Sequence, residues 1–163
     1  MSTHATILVA GIGNIFFGDD AFGCEVVKEL GGRELSPLVR VIDFGIRSYD
    51  LAYAIMDNYT ATILVDAVAR GHKPGTVFLI RPDVDTLPEA TPDGHSMNPA
   101  SVLQLARSLG GEPKNLYLVG CEPSVLETEE GEMGLSKIVQ AAVPHAVETI
   151  EKLLHDLLHP NER

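Results

Sequence analysis

Apolar positions fall into five short runs with helix-period stretches between them. The runs are Thr6–Ala10, Val39–Asp43, Thr62–Asp66, Thr76–Ile80 and Leu116–Gly120. Several are apolar almost throughout rather than alternating. That pattern fits strands covered on both faces of a largely parallel sheet. Cys24 to Leu30 carries Val26, Val27 and Leu30 on one helical face and stops at Gly31-Gly32. Ser48 is placed to cap a helix bearing Leu51, Ala52, Ile55 and Met56. Asn98 as cap and Pro99 at the first helical position open another, with Val102, Leu105, Ala106 and Leu109 on one face. A last helix is predicted from near Pro144, burying Val147, Ile150, Leu154 and Leu157 or Leu158. Two stretches, Arg81 to Met97 and Cys121 to Gly134, show no clear period, and the tail from His159 to Arg163 is expected to fray.

The alternation of strand and helix predicts an α/β fold: a three-layer αβα sandwich around a twisted, mainly parallel five-stranded sheet. At 163 residues, with no repeat or linker, the chain reads as one domain over 1–163. Twelve basic against twenty-three acidic residues give a formal charge of -11. That balance repels phosphate backbones and anionic lipid, so neither nucleic acid nor membrane is an expected partner. The two cysteines, Cys24 and Cys121, lack CxxC spacing and are expected in the interior as small apolar residues. The N-terminus lacks a basic region followed by a long apolar run, so the cytosol is the expected location.

In open α/β sheets, ligands bind beyond the carboxyl ends of the strands. The polar residues there are Asn14, Asp19 and Asp20 after the first run, Asp43 after the second and Asp66 after the third. His95 follows the fourth, and Cys121 and Glu122 the fifth. The loop Gly11 to Gly23 is Gly-rich, yet Phe16 occupies the third position of a GxGxxG fingerprint and no lysine precedes Lys28. Paired aspartates also face a phosphate badly, which removes the phosphate-cradle reading. One of Asp19 and Asp20 suffices to cap the following helix, and Asp19 is assigned that task. Asp66 ends an apolar run and wants a donor, a counter-charge or a metal. One imidazole with two carboxylates suits a divalent transition metal. His155 and His159 read as cations at a helix C-terminus; His4, His72 and His145 have no evident partners. The Glu-rich loop from Glu122 to Glu132 reads as solvated surface, with contact to a basic partner as the alternative. No HExxH, GxSxG or cysteine–histidine signature is present.

The ordered set Gly11-Ile-Gly-Asn14, Asp19-Asp20, Phe22-Gly23, Asp66-Ala67, His95 and Val119-Gly-Cys-Glu-Pro123 resembles the hydrogenase maturation endopeptidases, from about Thr6 to Leu158. The resemblance implies removal of a short C-terminal extension from the large-subunit precursor of a [NiFe] hydrogenase after nickel insertion. It implies a metal set of Asp20, Asp66 and His95, with Asp43 helping to position substrate. The nickel is expected to arrive in the substrate, and other divalent metals are expected to fit the same ligands. A bound metal would polarise the scissile carbonyl or activate water; alternatively nickel only docks the substrate and a carboxylate such as Asp20 or Asp43 is the base. Ala21, Phe44 and Ile46 depart from the common family pattern. Two other readings stay open: a metal-dependent hydrolase or peptidase with its own metal, and a non-enzymatic flavodoxin-like ligand-binding module.

Overall fold

The computed structural model describes residues 6–57, 59–82, 99–111, 115–124 and 134–162. Strands β1 (Ile7–Ile12), β2 (Val39–Gly45), β3 (Ala61–Ala67), β4 (Val77–Ile80) and β5 (Leu116–Cys121) form one sheet in the order β2-β1-β3-β5-β4. Every pairing is parallel except β4 with β5. The five predicted strands are thus all present, in the mainly parallel arrangement their unbroken apolar runs implied.

The helices are α1 (Phe22–Gly31), α2 (Ser48–Ile55), α3 (Pro99–Ser108) and α4 (Lys137–Leu158). Side chains on successive strand residues point to opposite faces, and the core divides accordingly. Ile7, Val9, Ile63, Val65 and Val119 pack under Val26, Val27 and Leu30 of α1 and Val143, Val147 and Ile150 of α4. Leu8, Ala10, Leu64 and Leu118 pack under Leu51 and Ile55 of α2 and Val102 and Leu103 of α3. These are the two outer layers of the sandwich.

Several local expectations change. α4 begins at Lys137, and Pro144 lies inside it. A proline there forfeits one backbone bond, but the preceding turns bury Val139, Ala142 and Val143, which offsets the loss. Ser48 is the first residue of α2 rather than its cap; Arg47 holds the cap position with no side-chain cap bond. Asp19 does not cap α1, whose cap position is Ala21. The tail carries a 3-10 turn at Pro160–Glu162 instead of fraying there. The cap predicted at Asn98 and the irregular stretches over 83–98 and 125–133 lie outside the described residues. Among the described residues no helix is long and apolar enough to cross a membrane.

Candidate active site

β1, β2 and β3 end side by side, and each end contributes a carboxylate. The chain leaves β1 through Gly13 (φ 147°), where a Cβ would strike the backbone carbonyl of Asp20. Only glycine lets the loop fold back that closely. Gly23 in the first turn of α1 is similarly tight, with its Cβ position occupied by the carbonyl oxygens of Val65 and Ile12. This pins the start of α1 onto the ends of β1 and β3. Between them, Gly18–Ala21 forms a 3-10 turn carrying both aspartates.

The two neighbours go separate ways. Asp19 is fully buried, and its carboxylate accepts from Ser124 N at 2.8 Å, Ser136 N at 2.7 Å and Ser136 Oγ at 2.9 Å. It therefore ties the loop after β5 to the cap residue of α4, which is a structural task. Asp20 is half-buried, and its Oδ2 accepts from Asn14 N at 2.9 Å. Asn14 Oδ1 in turn accepts from Phe16 N at 2.9 Å, which shapes the loop. Burial pushes the Asp20 carboxyl up from its ordinary value, and the Asn14 amide only partly opposes this.

Asp66, in β3, is 2% exposed, and its Oδ1 has no hydrogen-bond partner among the described residues. Desolvation holds its carboxyl well above the ordinary carboxylate range; the nearby charge of Asp20 adds to this, and a bond from the Ala67 amide opposes it. An unpartnered buried carboxylate oxygen is costly, so it marks a place where a cation or proton is wanted. Asp43 lies at a bulge in β2, where the register with β1 shifts from Gly11↔Asp43 to Ile12↔Gly45. The bulge buries Phe44 and leaves Asp43 exposed, with its Oδ1 accepting from Gly45 N at 2.9 Å.

Cys24 belongs to this group, which its apolar sequence character did not announce. It is buried as expected, but its thiol donates to Gly13 O at 3.6 Å. Burial pushes the thiol up, followed by its hydrogen bond to the Asp43 carboxylate and the charges of Asp43, Asp66 and Asp20. One buried thiol thus senses three carboxylates from three strand ends. Its only sequence signal was its place in the first turn of the helix after the Gly-rich loop. Cys121 is likewise buried, and desolvation raises its thiol to about 11.

The structure brings Asp20, Asp66 and Asp43 to one edge of the sheet, while His95 lies outside the described residues. Among the described residues no three His, Cys, Asp or Glu side chains are arranged to hold a metal ion. Glu122 is not the solvated surface residue its Glu-rich loop suggested. It is 4% exposed, and its carboxylate accepts from Arg70 N at 2.9 Å and His72 N at 2.7 Å.

Carboxylates gathered at the carboxyl ends of a mainly parallel sheet make this an acidic candidate site in an α/β fold, and the described residues of the Gly-rich loop lack a phosphate-binding signature. Comparison with known proteins makes the assignment specific. The family model described as hydrogenase maturation protease matches residues 24–153. The Hydrogenase 2 maturation protease of Escherichia coli is 34% identical over 153 residues, covering 92% of this chain and 91% of the relative. A protein named coenzyme F420 hydrogenase subunit delta, from Methanothermobacter thermautotrophicus, is 34% identical, covering 92% and 95%. Among solved structures, the hydrogenase maturating endopeptidase HybD of E. coli superposes with a TM-score of 0.76 at 32% identity, covering 92% of each chain. The chain belongs to the hydrogenase maturation protease family, and its activity class is that of an endopeptidase.

Proposed function

We propose that this endopeptidase removes the C-terminal extension of a [NiFe] hydrogenase large-subunit precursor and that it recognises nickel already seated in that substrate. The observation that carries the reading is the buried, unpartnered Oδ1 of Asp66 beside the half-buried Asp20. Two desolvated carboxylates that form no ion pair among the described residues suit a metal brought by the substrate. Family membership supports the substrate class, because the E. coli relative is named for maturation of a hydrogenase.

In this reading Asp20, Asp66 and His95 are the groups that meet the nickel, and Asp43 orients the peptide or takes a proton. The metal supplies Lewis-acid character to the scissile carbonyl or to water. Asp20 is steered by Asn14 N and Asp43 by Gly45 N, so both carboxylates are oriented before substrate arrives. Asp19 stays out of the chemistry, because its oxygens are occupied by Ser124 and Ser136.

The test is to incubate the chain with nickel-loaded and nickel-free precursor. The expected result is processing of the loaded form alone; equal processing of both removes nickel recognition from the account. Stoichiometric metal in the protein as purified would instead favour an enzyme with its own metal.

A further inference from the structure

The turn from β3 to β4 carries two basic side chains, Arg70 and Lys73, with His72 between them, in a chain whose formal charge is -11. Arg70, His72 and Lys73 lie within four residues, and all three are exposed. The turn begins after Ala67, the residue beyond Asp66 in β3, and crosses the carboxyl end of β5, because Val77 at the start of β4 pairs with Cys121 at the end of β5. It therefore borders the same edge of the sheet as the carboxylates.

The turn is built rigidly from its main chain. Buried Glu122 accepts from the amides of Arg70 and His72, with a further bond from Gly71. Glu122 O accepts from Gly75 N at 2.8 Å, and Thr76 O accepts from Glu122 N at 2.9 Å. Gly71 (φ 82°) and Gly75 (φ 87°) supply the left-handed corners. The Arg70 guanidinium lies 5.2 Å over the Phe78 ring, and the His72 ring packs 5.6 Å from the same ring. Among the described residues the ion pairs are Arg33–Glu151 and Arg47–Asp50, so Arg70 and Lys73 keep their charge for an outside anion. Glu122 directs its carboxylate at backbone amides, and neither Arg70 nor Lys73 forms an ion pair with it.

We propose that Arg70, His72 and Lys73 form an anion-binding rim for the carboxylates of the substrate's C-terminal extension, either its terminal α-carboxylate or its acidic side chains. This rests on the reading of the chain as a C-terminal processing enzyme and adds a direction to it. The segment to be released lies on the β3–β4 side of the catalytic carboxylates, and the rest of the substrate lies on the β2 side. A fixed cationic turn beside an otherwise acidic edge orients a peptide whose far end is anionic and discourages the reverse placement.

The experiment uses a fluorescein-labelled synthetic peptide of the precursor's extension, titrated against the full chain and its variants. Lys73→Glu and the double variant Arg70→Glu/Lys73→Glu should weaken binding, the double by about tenfold or more. Arg70→Lys/Lys73→Arg should retain it, and unchanged circular dichroism establishes that the variants are folded. A C-terminally amidated peptide and one with its Asp and Glu replaced by Asn and Gln separate the two sources of carboxylate. Equal affinity of wild type and double variant overturns the proposal, as does equal affinity for all three peptides, or no binding by wild type. In precursor cleavage, KM should rise in the double variant with kcat unchanged. Peptide binding by a wild-type chain that cleaves no precursor would overturn the processing role and leave the rim standing.

Discussion

β3 and β5 are hydrogen-bonded neighbours, and each delivers a carboxylate to the same edge of the sheet, yet the two are treated in opposite ways. Glu122 is 4% exposed and Asp66 2%. Around Glu122 three backbone amides converge, and together they outweigh the desolvation that pushes it up, so its carboxyl sits below the ordinary value. Around Asp66 desolvation dominates, Asp20 adds repulsion, and one oxygen has no partner. A buried carboxylate that serves the fold is surrounded by donors. One that is short of donors burdens the fold and is a candidate for a functional role.

Replacing each carboxylate should break or confirm this contrast. The largest effect is expected for Asp66→Asn, which should slow precursor processing by about a thousandfold while leaving the chain folded. Activity near wild type would place the chemistry elsewhere. Next is Asp19→Ala, which removes three hydrogen bonds and leaves the Ser124 and Ser136 amides unsatisfied. Urea denaturation should show a loss of about 2–4 kcal/mol; a negligible loss would mean that the latch is not structural.

The pH dependence separates the two neighbours by sign. The folded carboxyl of Asp66 lies above its ordinary value of 3.8, so its contribution to stability is complete below that value and is lost as pH rises towards the folded one. Wild type should therefore lose stability relative to Asp66→Asn with rising pH, at up to about 1.4 kcal/mol per pH unit. Glu122 is lowered, so its contribution is present above its ordinary value of 4.5 and is lost as pH falls through the folded one. Thermal melts of Glu122→Gln should show a deficit at neutral pH that closes on acidification. Parallel pH profiles for the two variants would erase the distinction. The smallest effect is expected at the exposed Arg33–Glu151 pair, 3.0 Å apart. Arg33→Ala should cost less than about 1 kcal/mol, and a larger cost would weaken the claim that burial separates these charges.

Much of this was legible in the sequence where local pattern suffices. Apolar runs such as Ile63–Val65 fixed the strands, and Asp43 and Asp66 stood out because a carboxylate closing such a run has few bland uses. What escaped depended on distant partners. Asp19 could pass for a cap because its real partners, Ser124 and Ser136, are 105 and 117 residues away. Glu122 shared its composition with a solvated loop, yet its donors come from a turn about 50 residues earlier. Cys24 resembled any small core residue until folding set it among carboxylates from three strands. Pro144 looked like a helix start because a proline penalty is local, whereas the burial that overrides it comes from the sheet.

The grip of Glu122 on the β3–β4 turn also bears on how such an enzyme could diversify. The turn is held by main-chain amides, which any non-proline residue supplies, so its shape is separable from its side chains at positions 70, 72 and 73. So long as Gly71, Gly75 and Glu122 stay, those positions can drift at little thermodynamic cost. If the turn binds substrate as proposed, its side chains can change while Asp20, Asp43 and Asp66 keep their places.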